Sequence, residues 1–576
     1  MKFGVLALDY DGTISTANGI HPAVRDAIAA LRDRRIAVLL VTGRIIQDLR
    51  TQVGDLRQFD AIVGENGAVL LFPESGRSQL LGPAPDPHFL AELTSAGIAI
   101  TAGECVVEAE ADAAGRILDI IRRLSLPLVI HFNRGRLMVL PQAVTKGTGL
   151  KEALAAMRLS PHNAVAIGDA ENDHQMLEVV ELGAAVSWGS PALIAAADDV
   201  VEGTGPPALV EYVKRLADQS RLPPERLGRR TLMLGHTADH APLSLAVRGR
   251  NVLIAGEPRS GKSWVAGLLA EQLILQRYAV FVIDPEGDYQ TLNRLPGVVL
   301  IDAADSQPHA GDIARALHHA DMSLVLDLSH LAAGAKREFV KATLHRLREH
   351  RRESGLPHRI VVDEAHYFLH DPDVMELLDL ELAGYTFVTH RASRLHAAVL
   401  ASAAATVVTR ETDPQEIRAL ADLLGEAPEA EWSTVFADLS LEEAVLLPGA
   451  EEAGGRLVRF RVAPRLTPHV RHRHKYLDMP VPTRQAFVFT HADVPTGARA
   501  HSLLEFVTIA ARSPAVVEDH LRRGDVSVWI DRVFGDQELA ALIRELEGDL
   551  RIVARPEVTA ELTTMIRERY AVDQRT

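Results

Sequence analysis

A single cysteine, Cys105, in 576 residues leaves no partner for an intramolecular disulfide and too few thiols for a cysteine-rich zinc centre. Such a chain fits a reducing compartment. No apolar run approaches the roughly 18 residues that a membrane helix needs, and the first residues lead into strand and motif without a cleavable apolar segment. The expectation is a soluble, cytoplasmic protein with no membrane partner. Positive charge is also in deficit: 61 Lys and Arg against 77 Asp and Glu give a formal net charge of −16. This weighs against a general nucleic-acid coat, because phosphate contacts need local positive charge. Three basic stretches, Arg221 to Arg230, Arg346 to Arg352 and Arg471-His472-Arg473-His474-Lys475, read as solvated faces or linker. No internal repeat or low-complexity tract is present.

What is there is globular: 47% hydrophobic and 24% charged residues, in a length that suggests about three or four domains. The apolar run FGVLAL before Asp9, helical spacing of Val24, Ala27, Ile28 and Leu31, and a second apolar run Ile36 to Val41 predict a βαβ start. Alternation continues at Ala61 to Val63, breaks from about residue 74 to 144, and resumes with a helix from Gly149 and a strand Ala164 to Ile167. The break has the size of an inserted cap, in which Cys105 reads as a buried small residue. A basic, proline-bearing stretch over 219–245 predicts a linker. A second α/β series follows over 246–465, with strands expected at Asn251 to Ala255, Val280 to Ile283, Val298 to Ile301, Ser323 to Leu326, Ile360 to Val362, Thr386 to Val388 and Val407 to Thr409. Residues 471–576 are expected to be a small domain of mixed helices with a strand at Phe487 to Phe489.

Phosphate-monoester hydrolysis needs a nucleophile, a proton carrier and strong charge neutralisation. Asp9 and Asp11 are two residues apart at a strand end and are expected to share a face. Two carboxylates about 4 Å apart repel by up to ~4 kcal/mol at an effective dielectric near 20, which a magnesium ion would relieve. Asp169 and Asp173 stand one helical turn apart after another strand. Thr42-Gly43-Arg44 closes a strand and offers a hydroxyl and backbone N–H to a phosphate oxygen, and Lys146 before a helix offers positive charge. These four pieces, in this order, resemble the haloacid dehalogenase superfamily of phosphatases over roughly residues 1–218. With Gly64-Glu65-Asn66-Gly67 and the insertion, they look like its capped branch, which includes sugar-phosphate and phosphoglycolate phosphatases. The resemblance implies Asp9 as the nucleophile that forms an aspartyl-phosphate and Asp11 as acid/base. It implies Thr42, Gly43, Lys146 and Asn172 around the phosphoryl group, and magnesium held by Asp9, Asp11, Asp169 and Asp173.

Further along, Gly256-Glu257-Pro258-Arg259-Ser260-Gly261-Lys262-Ser263 satisfies the phosphate-loop pattern, between the strand NVLIA and a helix from Trp264. Backbone N–H groups would cradle the phosphates of ATP, Lys262 would reach the β and γ phosphates and Ser263 would hold magnesium. Arg359 to Glu364 is an apolar strand ending in two acids, with Asp363 expected to hold magnesium through water and Glu364 to polarise an attacking water. With Ile283-Asp284-Pro285-Glu286-Gly287-Asp288-Tyr289, the segment 228–465 resembles the HerA/FtsK-like ATPases, many of which are ring-forming DNA motors. The resemblance implies a homo-oligomeric ring, with a hexamer as the size to test. It departs at Thr389-His390-Arg391-Ala392, where His390 stands in place of a γ-phosphate-sensing glutamine. Arg391 and Arg410 are the candidate charge-stabilising arginines.

The fold expected is therefore α/β throughout: a Rossmann-like phosphatase core with an inserted α+β cap, a RecA-like phosphate-loop ATPase domain, and a small mixed carboxyl-terminal domain. The leading functional expectation is a magnesium-dependent phosphatase acting on a small phosphorylated metabolite, fused to an ATPase. Two alternatives stay open at this point. One is a DNA-directed motor or nucleic-acid end-processing enzyme, and the other is a kinase and phosphatase fusion.

Overall fold

The computed structural model describes residues 1–16, 19–133, 136–306, 308–423, 429–468, 481, 483–492, 494–534, 536–552 and 557–569. The basic cluster Arg471 to Lys475 lies outside the described residues. By contact density the chain forms two units, Met1–Pro285 with Tyr289–Pro468, and Glu286–Asp288 with His469–Thr576. No described helix is long and apolar enough to cross a membrane.

The first unit holds two large sheets. Six parallel strands run in the order Asp199–Val201, Leu182–Val186, Ala164–Gly168, Val5–Asp9, Ala37–Val41 and Ala61–Gly64. Apart from the edge strand Asp199–Val201 they are almost wholly buried, which explains their near-continuous apolar sequence, as expected when helices cover both faces of a parallel sheet. Chain order reverses at Val5–Asp9, because the next two strands lie on one side of it and the last three on the other. The carboxyl end of that strand is thus a topological switch point, where open α/β sheets bind ligands.

Two antiparallel strands, Val69–Phe72 and Arg77–Leu80, extend this sheet. Residues 77–80 fall inside the expected insertion, yet they pair with the core; all four are exposed, so no buried face marks them in the sequence. The inserted cap itself is a four-stranded antiparallel sheet of Ile100–Ala102, Val107–Glu110, Leu128–Asn133 and Arg136–Pro141. Two helices, Pro87–Ser95 and Ala114–Arg123, share an apolar core with it, including Phe89, Leu93, Ile117 and Leu137.

The second sheet has seven parallel strands in the order Ala403–Val408, Asn251–Ala255, Tyr385–Thr389, Arg359–Val362, Val280–Asp284, Ser323–Asp327 and Val298–Asp302. Four antiparallel strands extend it beyond Ala403–Val408: Glu443–Leu446, Val458–Val462, Thr231–Thr237 and Pro242–Ala246. The last two form a hairpin over residues expected to be linker. Leu232, Leu234, Leu243 and Leu245 are its buried leucines, but Gly235, Pro242 and flanking basic residues mask that alternation. The hairpin lies along the helix Lys262–Leu275, whose Gln272 side chain accepts from Met233 N–H at 2.7 Å and donates to Met233 C=O at 2.9 Å.

Between the two sheets lies a buried polar junction. Glu181 takes a hydrogen bond from Tyr278 OH at 2.9 Å, contacts His162 Nδ1 at 2.7 Å and pairs with Arg230 at 3.2 Å. The His162 ring stacks on Tyr278 with centroids 3.6 Å apart, and its Nε2 lies 3.0 Å from Gln276 C=O. Burial alone would raise the Glu181 pKa; His162, Arg230 and Tyr278 together hold it below the ordinary carboxylate value.

The second unit builds its own core from a two-stranded sheet, Phe487–His491 with Val494–Ala500, and helices that include Leu503–Arg512, Pro514–Arg523, Gln537–Ile552 and Val558–Arg569. Phe487, Phe489, Phe506 and Trp529 pack together at its centre, Phe489 stacked on Phe506 and Phe487 edge-on to Phe489 and Trp529.

Removing one member of a buried ionic cluster strands the rest without compensation, at a cost of about 3–5 kcal/mol. Glu181→Ala is expected to cost that much in equilibrium denaturation of the whole chain. Because the cluster joins both sheets, the phosphatase and ATPase activities should be lost at a common, lowered temperature. An unchanged midpoint would show that the junction contributes nothing to their association.

Candidate active sites

At the switch point, Asp9 ends its strand with its side chain buried. Lys146, the first residue of the helix Lys146–Ala156, places Nζ 2.6 Å from Asp9 Oδ1 and 2.7 Å from Asp173 Oδ1. Burial would lower the lysine pKa, but Asp173 and Asp9 outweigh it and hold it above the ordinary value. Asp9 is displaced the other way, raised by burial first and the Asp173 charge next, against the opposing pull of Lys146. Asp173 Oδ2 also accepts from the backbone N–H groups of Asp169 at 3.0 Å and Ala170 at 3.2 Å, so its position is fixed by its own loop.

Asp9, Asp169 and Asp173 each offer a carboxylate oxygen within 4.8 Å of the others. Three carboxylates against one ammonium leave negative charge uncompensated, and Asp9 Oδ2 is buried without a hydrogen-bond partner. A hard divalent cation with oxygen ligands fits this donor set. Asp11 stands apart from the cluster. The strand ends at Asp9 and the chain turns, with Ile14 and Ser15 N–H both donating to Tyr10 C=O, so the alternation that would align Asp11 with Asp9 no longer applies. Both Asp11 oxygens instead accept from Arg44, at 2.6 and 2.8 Å, and the guanidinium lies 5.1 Å from the Tyr10 ring centroid.

Thr42 is fully buried beyond its strand, and its Oγ1 accepts from Arg44 N–H at 3.1 Å; Gly43 between them is half-buried. Asn172 is half-buried on the 3-10 turn Glu171–Asp173. Two residues to which the sequence reading gives no role of their own complete the frame. Glu65, buried with φ 52°, accepts from the cap N–H groups of Glu104 at 2.9 Å and Cys105 at 2.8 Å, pinning the cap to the core. The buried Thr13 hydroxyl has no hydrogen-bond partner. A carboxylate in a Gly-bounded turn is the one sequence signal for Glu65, since such a residue at a strand end is free to cap a neighbouring loop.

The second site lies at the carboxyl end of Asn251–Ala255. The phosphate loop needs glycine at Gly256, which has φ 150° and where an added Cβ would fall 2.1 Å from Thr409 Oγ1. Lys262 starts the helix Lys262–Leu275, and its Nζ donates to Glu257 C=O at 2.9 Å; Ser263 follows it in the first turn. Ser260 Oγ donates to the same carbonyl at 2.7 Å. Pro258 and Arg259 form the turn between, Arg259 with φ 65°. Glu257 is held from the neighbouring strand end, pairing with Arg410, accepting from Thr412 Oγ1 at 2.8 Å and donating its N–H to Arg410 C=O at 2.8 Å. Arg410 is therefore part of the scaffold of the loop itself, whereas Arg391 is exposed.

One strand, Tyr385–Thr389, separates the phosphate-loop strand from Arg359–Val362. That order sets His390 beside Glu364, with Nδ1 2.9 Å from Oε2. Asp363 and Glu364 are buried, and Glu364 takes φ 46°, uncommon for a non-glycine residue.

The comparisons match these two sites separately. A family profile for haloacid dehalogenase-like hydrolases matches residues 6–80 and 104–205, and one for an AAA domain matches residues 247–399. The phosphoglycolate phosphatase of Methanoculleus marisnigri is 30% identical over 225 residues, 36% of this chain and 95% of that protein. The phosphoglycolate phosphatase of Methanosarcina acetivorans is 27% identical over 234 residues, 38% of this chain and 97% of that protein. Among solved structures, a haloacid dehalogenase-like hydrolase from Bacteroides thetaiotaomicron aligns with a TM-score of 0.33 at 18% identity, over 37% of this chain and all of that one.

Gly67, with φ 106°, lies so close to the turn before Lys146 that an added Cβ would fall 1.9 Å from Thr145 C=O. Gly67→Ala is expected to cost about 1–3 kcal/mol by overpacking and, by displacing Lys146, to reduce phosphate turnover. Wild-type stability and turnover would show that the two loops are not rigidly coupled.

Proposed function

Through residues 6–205 the chain belongs to the haloacid dehalogenase-like hydrolases, and on that premise we propose that its amino-terminal site hydrolyses a small phosphomonoester by way of an aspartyl-phosphate on Asp9. It is an enzyme with a phosphatase part and an ATPase part. The observation that carries the mechanism is the buried Asp9, Lys146, Asp173 chain with Asp169 alongside.

In this reading Asp9 Oδ2, the oxygen not engaged by Lys146, attacks phosphorus while the ester oxygen leaves with a proton from Asp11. Water then attacks the phosphoryl group, Asp11 takes its proton, and phosphate departs to restore the Asp9 carboxylate. Lys146 opposes the burial and the Asp173 charge that raise the Asp9 pKa and neutralises charge on the phosphoryl oxygens, and Thr42 and Gly43 offer donors to the same oxygens. Magnesium, when bound by Asp9 and Asp169, supplies further charge neutralisation. Asp173 acts by positioning Lys146 and the loop of Asp169. Arg44 must exchange its hold on Asp11 during the cycle, which makes it a positioning residue for the proton carrier.

The relatives named phosphoglycolate phosphatase point to a small phosphorylated carboxylic acid as the substrate class. The carboxyl-terminal part of the first unit is read as an ATP-binding and hydrolysing module, with Lys262 and Ser263 on the phosphates and magnesium, and Asp363 and Glu364 on metal and water. Seven parallel strands with the phosphate loop and the acidic strand end one strand apart support a RecA-like, HerA/FtsK-like module. A ring oligomer follows from that resemblance and is tested by mass in solution.

Asp9→Asn is expected to lower phosphate release from phosphoglycolate by a factor of about 10³ or more, the scale of a lost nucleophile, with ATP turnover retained. Lys262→Ala should do the reverse. Retained phosphate release in Asp9→Asn would remove the aspartyl-phosphate assignment.

A further inference from the structure

Beside the phosphate loop, a second group of potential ligands has a composition unlike that of the first. Glu364, His366 and His390 each offer one ligand atom, a carboxylate oxygen or a ring nitrogen, all within 4.8 Å of one another. Glu364 Oε2 lies 2.9 Å from His390 Nδ1 and 3.5 Å from His366 Nδ1, and the two imidazole centroids are 4.3 Å apart with the rings at 75°. A tetrahedral zinc ion with bonds of about 2.0–2.2 Å holds its ligand atoms roughly 3.3–3.5 Å apart, inside the 4.8 Å that bounds this group.

A second observation points the same way. His366 is 3% exposed, and its Nε2 has no hydrogen-bond partner, whereas buried imidazole nitrogens are ordinarily satisfied. Thr389 Oγ1 lies 3.1 Å from His366 Nδ1 and itself accepts from Arg391 N–H at 2.9 Å, which holds that nitrogen from outside the group and leaves Nε2 as the ligand atom. Such outer contacts typically fix a ligating histidine.

We propose that Glu364, His366 and His390 bind a borderline divalent cation of the zinc class, distinct from the magnesium that accompanies nucleotide. Two imidazoles and one carboxylate favour zinc, cobalt or nickel, while magnesium selects oxygen ligands. Three protein ligands leave a fourth position open. Occupation draws the Glu364 carboxylate onto the cation and away from water, so the cation inhibits ATP hydrolysis. That consequence rests on the reading of Glu364 as the water-polarising acid; the binding does not.

The test uses the full chain without nucleotide, in excess magnesium, titrated with Co²⁺ and followed by the visible absorption of four- or five-coordinate cobalt. The expected result is one Co²⁺ per chain, displaced by Zn²⁺, with affinity reduced about tenfold or more in His366→Ala and in His390→Gln. Asp169→Asn, in the other carboxylate cluster, should leave the titration unchanged. His390 sits past the end of its strand and is half-buried, so His390→Gln remains informative if His366→Ala fails to fold. Absence of the cobalt band, or a band indifferent to His390→Gln, would overturn the site. Zinc should then suppress ATP turnover and a chelator restore it. Full turnover with cobalt bound would overturn the inhibitory role while leaving the site, and a chain that binds cobalt yet never hydrolyses ATP would refute the ATPase reading instead.

Discussion

The Lys146 ammonium lies between the carboxylates of Asp9 and Asp173, at 2.6 and 2.7 Å, with all three side chains almost wholly buried. Buried charges are tolerated only when paired and hydrogen-bonded, so this one cation determines which carboxylates can sit together at the strand ends. It also sets the division of labour among them. One Asp9 oxygen is spent on the lysine and the other is left without a partner, while Asp173 is spent on Lys146 and on its own loop. On the proposed mechanism what remains is a nucleophile with one oxygen available, beside a buried acidic cluster that suits a divalent cation.

Holding that lysine requires several elements at once. The helix Lys146–Ala156 begins with a capping box at Thr145, and the preceding turn packs against Gly67 with no room for a side chain. Glu65, two residues earlier, reaches the other way to fasten the cap through the backbone of Glu104 and Cys105. A single turn after Ala61–Gly64 therefore sets both the floor and the lid of the site. The same economy appears at the phosphate loop, where Glu257 ties the loop to the neighbouring strand end through Arg410 and Thr412. The buried junction of His162, Glu181, Tyr278 and Arg230 joins the two sheets, so nucleotide chemistry and phosphate-ester chemistry belong to one folded unit.

Most of the parallel strands, though not Leu182–Val186 or Asp199–Val201, were legible in sequence because they are buried on both faces and so appear as uninterrupted apolar runs. The motif residues that end them, Asp9, Thr42, Asp169, Gly256 and Asp363, were legible for the same reason, since the end of a run marks the edge where ligands bind. The antiparallel additions were less so: Arg77–Leu80 is exposed throughout, and Thr231–Thr237 alternates across a glycine and a bulge. Pairings between distant loops were not legible at all. Nothing local to Asp11 announces that Arg44 will occupy both its oxygens, and nothing local to Arg410 announces Glu257. The His390 pairing with Glu364 depends on the strand order, which places Tyr385–Thr389 beside Arg359–Val362, and strand order is a property of the whole fold.

The central claim is a covalent one: phosphorus passes through the Asp9 carboxylate. The measurement that reaches it most directly is acid-quenched turnover of phosphoglycolate followed by borohydride reduction and peptide mass spectrometry. Reduction of an acyl phosphate converts its aspartate to homoserine, which survives digestion. The account predicts homoserine at position 9, formed only when substrate is present. Turnover that leaves Asp9 unmodified, or conversion at another aspartate, would contradict it.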